Sequence, residues 1–378
     1  MTRIAILFAN YGPYHLARIS SFHEHCSRIG WEVVGIELAR EEVEHAWKTS
    51  VEGLPFTVVS AIEKQQLEQV KFSQLLQRLY AVLSQVKPQV LVIAGYAKPA
   101  MLAALLWSLW NQKPAVLFSV SKQDDAPRFW WRESIKKCIL KRYKAALVGG
   151  KPQKDYLGKL GMSADAIFLG YSVVGNDFYH PTKIKSLTVP LTSSYFLAIN
   201  LFVPKKNIFF LISSYAGYRQ AAGTHAWDLV LCGDGELRPQ IEKHITELAL
   251  QDNIHLPGFL QQDELLPYFA HARYFVHASI QEQWGLVVNE AMAAGLPVLV
   301  SNRCGCFEDL VKEGVNGFGF DPENPQQLTD LMLKMSSKEV NLKAMGEASL
   351  EHIQKFSPDY FAQGLMQAVE YALGNRGA

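Results

Sequence analysis

Two glutamates eight positions apart, Glu282 and Glu290, are the side chains best placed by type and spacing to do chemistry. They stand in Ser279-Ile280-Gln281-Glu282-Gln283-Trp284-Gly285-Leu286-Val287-Val288-Asn289-Glu290-Ala291-Met292-Ala293-Ala294-Gly295-Leu296-Pro297-Val298. A strand should end near His277 and a helix begin near Trp284 or Gly285. Gly295 stops that helix, Pro297 prevents its continuation, and the next strand starts at Val298. Glu282 then sits at the helix N-terminus and Glu290 well inside, with Leu286, Val287, Ala293 and Ala294 around it. A carboxylate on such a surface is costly unless it is paired or accepts hydrogen bonds. A ribose diol supplies two donors to one carboxylate. The amides of Gly285, Leu286 and Val287, with the helix dipole behind them, suit a diphosphate. Glu282 at the mouth could reach the hydroxyls of a bound sugar. The plainer alternative is that Glu282 only favours the dipole and Glu290 pairs with an Arg or Lys elsewhere in the chain.

These residues need a scaffold, and the rest of the chain supplies one. Short runs of Val, Ile, Leu and Phe alternate with amphipathic stretches of helical length, the pattern of parallel βαβ units. In the first half the runs are Ile4–Ala9, Trp31–Ile36, Val90–Ala94, Ala115–Val120, Ala145–Val148 and Ile167–Leu169. Most are continuous, as expected of strands covered on both faces, and a helix is expected over Ile62–Gln85. The second half repeats the pattern at Tyr195–Asn200, Asp228–Cys232, Ile254–Leu256, Tyr274–Val276, Val298–Val300 and Gly317–Phe320. A boundary belongs between Tyr171 and Ser194, and a last helix between Ser357 and Leu373. The expected domains are therefore residues 1–175, residues 176–356, and a C-terminal segment 357–378 packed back on the first. Open α/β sheets bind ligands beyond the carboxyl ends of their strands, so a cleft between two such domains is the expected site.

Composition sets outer limits. The 378 residues are 49% hydrophobic and 19% charged, which excludes a disordered or collagen-like chain. A net charge of +1 argues against a dedicated nucleic-acid binder. Met1-Thr2-Arg3 leads into an apolar run too short for a secretory signal core, and no stretch approaches the ~20 residues of a membrane span. The five cysteines read as reduced thiols, and Cys304-Gly305-Cys306 lacks the partners that would complete a zinc site. The expected compartment is cytoplasmic.

The segment from Glu282 to Val298 resembles the E-x7-E signature of retaining glycosyltransferases of family 4. The likeness continues upstream through Leu229-Val230-Leu231-Cys232-Gly233-Asp234-Gly235, Ile254-His255-Leu256-Pro257-Gly258-Phe259 and Leu265-Leu266-Pro267-Tyr268-Phe269. Downstream it runs through Gly305-Cys306-Phe307-Glu308-Asp309-Leu310-Val311 and Gly314-Val315-Asn316-Gly317. The resemblance implies an α/β GT-B fold, with two facing Rossmann-like domains, an interdomain cleft and a C-terminal helix. It implies a nucleotide diphosphate sugar as co-substrate, no other cofactor and no metal. Glu290 would hold the donor ribose and Glu282 approach the transferred sugar. Trp284 and Gly233 would lie beside the donor, and Lys206, in Phe202-Val203-Pro204-Lys205-Lys206-Asn207, would bind its diphosphate. The family usually carries an Arg a few residues before that lysine, where this chain has Asn200-Leu201; Arg303 is one substitute. His277 stands where the family commonly has proline, and is expected to be structural.

The first half is less diagnostic. Gly12 follows the first strand where the family has a glycine-rich loop, and so is a donor-phosphate candidate. His15, Tyr96 and Asp124 are acceptor-side candidates because each follows an expected strand. Arg128–Lys144 carries seven basic residues and one acid, with Trp131, Ile135, Cys138 and Ile139 on one helical face. Two readings stay open: an ordinary helix packed on the sheet with solvated lysines, or a peripheral contact on the inner face of a membrane. The acceptor could be a glycan, a lipid-linked saccharide or a small molecule; no nucleic acid is expected. The rival functions are a nucleotide-sugar epimerase or phosphorylase of the same plan, and a non-catalytic nucleotide-sugar-binding protein.

Overall fold

The computed structural model describes residues 2–41 and 50–374. Residue 1, residues 42–49 of the expected first domain and residues 375–378 of the expected C-terminal segment lie outside the described residues. The chain divides into two compact units, Met1–Gly175 with Phe356–Ala378, and Asn176–Lys355.

The first unit holds β1 (Arg3–Phe8), β2 (Glu32–Glu41), β3 (Thr57–Gln66), β4 (Val90–Ala94), β5 (Ala115–Ser119), β6 (Ala145–Val148) and β7 (Ile167–Leu169). They form one parallel sheet in the order β3-β2-β1-β4-β5-β6-β7. Alternation along β1 sends Ala5 and Leu7 to one core and Ile4, Ile6 and Phe8 to the other. Helices Phe72–Val86 and Pro99–Trp110 close the first core with Leu79, Leu83 and Ala104. Helices Pro13–Arg28 and Pro358–Leu373 close the second with Phe22, Phe361 and Leu365. Gly364 permits the close approach of that last helix, since a Cβ there would stand 2.1 Å from the Leu169 carbonyl oxygen.

One expectation for this unit is corrected. The helix expected over Ile62–Gln85 begins only at Phe72, because Thr57–Gln66 is β3 instead. Thr57 to Ile62 is rich in β-branched residues, and pairing along the ten-residue β2 outweighs a local helical pattern. The basic segment does form a helix, Trp130–Leu140, but within that helix only Leu140 is buried. Trp130, Trp131 and Ile135 are exposed rather than packed on the sheet.

The second unit repeats the plan with β8 (Tyr195–Ile199), β9 (Asp228–Cys232), β10 (Ile254–Gly258), β11 (Tyr274–His277), β12 (Val298–Ser301) and β13 (Gly317–Phe320). Its parallel order is β10-β9-β8-β11-β12-β13. Register slips between His255 and Gly258 on the edge strand, where Pro257 has no N–H to give to a ladder. Strand order reverses between β8 and β11, so the chain leaves those neighbours in opposite directions and opens a crevice beyond their carboxyl ends.

Candidate functional site

The two loops that flank this reversal carry the candidate residues Lys206 and Glu282. After β8 the chain passes Asn200 and Leu201 and makes a single tight turn, Pro204–Lys206. After β11 it runs through Ser279 and Glu282 to Gly285, whose left-handed φ of +101° opens the helix Leu286–Ala293. Backbone bonds clamp the loops together. Ile280 N–H donates to the Lys205 carbonyl at 3.0 Å, and Gly305 N–H to the Glu282 carbonyl at 3.1 Å. Cys306 N–H donates to the Trp284 carbonyl at 3.1 Å. On the other side of β8, Gly233 N–H donates to the Gly258 carbonyl at 2.8 Å. A Cβ on Gly233 would lie 1.8 Å from the Asn200 oxygen, so only glycine lets these backbones approach.

Within that frame the Lys206 ammonium forms an ion pair with Glu282 Oε2. The same oxygen faces His277 Nε2 at 3.2 Å and accepts from Ser279 Oγ at 3.4 Å. His277 is fully buried at the end of β11, and Ser279 Oγ lies 3.3 Å from the same ring nitrogen. An ionised carboxylate only accepts, which assigns the imidazole proton to Nε2. Nδ1 is then a bare lone pair, and it has no hydrogen-bond partner among the described residues. Burial pushes His277 below the ordinary imidazole value, and the Lys206 charge adds to this against the pull of Glu282. Burial alone would raise the Glu282 carboxyl. The His277 hydrogen bond and the Lys206 charge outweigh it and hold the group well below the usual carboxylate range.

Both depressed values act in the same direction on stability. A group whose folded value lies below its unfolded one stabilises fully above the unfolded value and loses that contribution as acid protonates it. His277 should therefore begin to destabilise the fold below about pH 6.5, and Glu282 below about pH 4.3. We expect melting temperature to fall through both windows. His277→Gln should flatten the upper window relative to wild type, and Glu282→Gln the lower one. Unchanged slopes in both variants would show that the pairings contribute nothing.

The remaining candidates fall into two groups. Near Glu282, Gly285, Leu286 and Val287 form the first turn of the helix, whose amides lack intrahelical acceptors by construction. Glu290 lies in the second turn of that helix and is 1% exposed. Trp284 is buried and its indole N–H donates to Asn289 Oδ1 at 2.8 Å, so that donor is already engaged. Leu201 is 57% exposed where a second cation was sought. Arg303 is held in a fork by Glu323, at 2.6 and 3.2 Å.

In the first unit, Gly12 and Tyr96 follow β1 and β4, the neighbours at that sheet's own reversal. Gly12 N–H donates to His15 Nδ1 at 3.3 Å, and the His15 ring stacks on Phe8 with centroids 3.9 Å apart. His15 thereby supports its own helix start. Tyr96 is half-buried and burial raises its phenol; Asp124 is exposed and pairs with Lys122 at 2.5 Å. Sequence reasoning missed His277 and Ser279 as partners of Glu282. Their signal is faint: two polar residues at the carboxyl end of an apolar strand, five and three positions before a carboxylate.

Comparison with known proteins places the fold among solved ones. Residues 180–352 match the family described as glycosyl transferases group 1. An uncharacterized glycosyltransferase of Methanocaldococcus jannaschii is 29% identical over 174 residues, 46% of this chain and 47% of the relative. The sulfoquinovosyl transferase of Arabidopsis thaliana is 34% identical over 132 residues, 34% of this chain and 25% of the relative. The chain thus spans half or less of the length of these curated relatives. Among solved structures, Anabaena HepE in complex with UDP and glucose superposes with a TM-score of 0.77 at 18% identity, covering 98% of this chain and 100% of that one. Sucrose-phosphate synthase from Thermosynechococcus elongatus gives 0.74 at 18% identity, covering 99% and 100%. These likenesses establish the fold as GT-B, two parallel-sheet α/β domains. Among the described residues no group of three or more His, Cys, Asp and Glu could hold a metal ion.

Proposed function

We propose that this chain is a retaining glycosyltransferase of the family 4 type, moving a sugar from a nucleotide diphosphate donor to an acceptor hydroxyl without a metal. The observation that carries the reading is the Lys206–Glu282 pair, set at the strand-order reversal of the second sheet and beside the N-terminus of Leu286–Ala293. A cation, orphan amides and a helix dipole converge where a diphosphate belongs in this sheet type. The match of residues 180–352 to group 1 glycosyl transferases supports the same class. HepE, the structural neighbour crystallised with UDP and with UDP-glucose, supports a nucleotide-sugar donor.

In this mechanism the acceptor oxygen bonds to the anomeric carbon on the face from which the phosphate oxygen departs. The acceptor proton passes to that departing oxygen, so configuration is kept and no protein nucleophile is consumed. Lys206 and the amides of 285–287 neutralise the charge that gathers on the diphosphate. Since Lys206 rests on Glu282, donor phosphate must draw the ammonium away or share it. The freed Glu282 oxygen then accepts from the sugar hydroxyls, with neutral His277 and Ser279 keeping it in place. Glu290 holds the ribose diol. No arginine stands in the few residues before Lys206, so the phosphates depend more heavily on this cation.

Thermal shift against UDP, GDP, ADP and their common sugars tests the reading on wild type and Glu290→Ala. One nucleotide should raise the melting temperature by several degrees, since a ligand at 100 times its Kd contributes about 2.7 kcal/mol. Glu290→Ala should abolish the shift. A shift that survives in Glu290→Ala overturns the ribose assignment, and no shift with any donor overturns the donor site. Release of nucleoside diphosphate only when an acceptor is added distinguishes transfer from epimerisation or from binding alone.

A further inference from the structure

The outer face of the first unit carries an apolar surface that its own core does not use. Helix Pro99–Trp110 is apolar almost all round: Pro-Ala-Met-Leu-Ala-Ala-Leu-Leu-Trp-Ser-Leu-Trp. Its inner face buries Ala100, Met101, Ala104 and Leu105 against the sheet. Its outer face leaves Leu106 61% exposed and Trp110 89% exposed. A surface helix in water normally turns a polar stripe outward, and this one does not. Beside it, helix Trp130–Leu140 leaves Trp130 82% and Ile135 53% exposed. Leu102, Leu106 and Leu109 of the first helix and Ile135, Cys138 and Ile139 of the second line a groove of about 690 Å³ between them. Contiguous exposed apolar surface of this kind marks an interaction site.

Charge identifies the occupant. Residues 128–144 hold seven cations and one acid in a chain whose net charge is only +1. The one acid, Glu133, is already engaged by Lys136 and the Tyr156 hydroxyl, each at 2.8 Å. Asp125, just upstream, is tied to Arg128. Among the described residues Lys137, Lys141, Arg142 and Lys144 form no ion pair with a carboxylate, and all four are exposed. Arg132 lies over the Phe129 and Trp131 rings at 5.1 and 5.0 Å, an amphipathic cluster suited to the boundary between headgroups and acyl chains. No described helix is long and apolar enough to cross a membrane, so the contact this surface suits is a lateral one.

We propose that the face formed by helices Pro99–Trp110 and Trp130–Leu140 docks on an anionic phospholipid bilayer, with Leu106, Trp110, Trp130 and Ile135 entering the interface and Arg132, Lys137, Lys141, Arg142 and Lys144 meeting lipid phosphates. Tryptophan and leucine supply interfacial insertion, and the unpaired cations supply attraction to the negative surface. A second copy of the chain would bring like charge against like, which the bilayer avoids. The surface lies wholly in the first unit and its argument uses no donor-site residue, so it stands or falls separately from glycosyl transfer.

The test is co-sedimentation of the full chain with vesicles of phosphatidylcholine alone and of phosphatidylcholine with 30–40% phosphatidylglycerol, at low and at 0.5 M salt. We expect binding to the anionic vesicles only, weakened by salt. The triple variant Arg132→Glu, Lys137→Glu, Lys141→Glu should lower the partition coefficient at least about tenfold, since each basic residue near such a surface is worth about fivefold. Trp110→Ser with Ile135→Asp should also lower it, by about tenfold. All five side chains are exposed, so unchanged melting temperatures will show that the variants fold. Equal binding to neutral vesicles, no binding to either, or retention by either variant overturns the proposal. A dimer in solution that Trp110→Ser with Ile135→Asp converts to monomer assigns the face to a second copy and overturns it equally.

Discussion

Replacing Lys206 with alanine should lower kcat by about 10²–10³, the usual loss when one charge-stabilising donor is removed from a developing anion. The loss should fall on turnover more than on donor affinity, because the negative charge on the diphosphate grows as the glycosidic bond breaks. Lys205→Ala is the control: it is adjacent and exposed, and its backbone carbonyl, which holds Ile280, survives the change. It should stay within about twofold of wild type. Lys206→Ala has a structural consequence too, because among the described residues Glu282 then keeps only His277 and Ser279 on its paired oxygen. Stranding that carboxylate should cost about 1–3 kcal/mol of stability. Adding Glu282→Gln to Lys206→Ala should restore much of the stability and none of the turnover. That separates the lysine's proposed electrostatic work on the donor from its role in the fold. Turnover by Lys206→Ala within fivefold of wild type would remove the lysine from the phosphate site.

The largest stability loss is expected at Gly233, a loop residue with no side chain to lose. Its φ is +133°, and a Cβ would meet the Asn200 carbonyl oxygen at 1.8 Å. Neither backbone can retreat freely. Asn200 N–H donates to Cys232 at 2.9 Å while Gly233 N–H donates to Gly258 at 2.8 Å, and both bonds tie loops at the carboxyl ends of β8, β9 and β10. Gly233→Ala should therefore destabilise the fold by about 4 kcal/mol or more. The melting temperature should drop on the order of 10 °C. Gly223→Ala provides the contrast: φ is +58° but no atom lies within 4 Å of the added carbon, so only backbone strain of about 1–3 kcal/mol is added. Equal melting temperatures for the two variants would mean that close approach, as distinct from φ, is not what the loop requires. Donor-induced stabilisation of any folded Gly233→Ala should also weaken, because the same loops frame Lys206 and Glu282.

Much of this architecture was legible because burial on both faces of a parallel sheet leaves continuous apolar runs that need no partner to be recognised. Val90–Ala94 and Ala115–Ser119 are strands for that reason, and Gly285 and Gly295 mark the ends of their helix through positive φ values of +101° and +74°. Where local pattern and long-range pairing disagreed, pairing prevailed, as at Thr57–Gln66 against β2. The Trp130–Leu140 helix was legible as a helix, but which of its faces meets the sheet was not. Periodicity reports that a face is apolar and leaves open whether anything covers it.

By itself, the sequence determined two α/β units, the carboxylates Glu282 and Glu290 on either side of a helix start, and the glycines that shape it. Only the tertiary structure decided what those carboxylates meet. It brought Lys206 to Glu282 across 76 positions of sequence, buried His277 against that pair, and engaged Arg303 with Glu323. It also left the outer side of Pro99–Trp110 bare. The physical reason is one of range. Backbone propensity and hydrophobic period act over one or two turns of chain, whereas an ion pair or a covered face is chosen by whichever segment the sheet topology delivers through space.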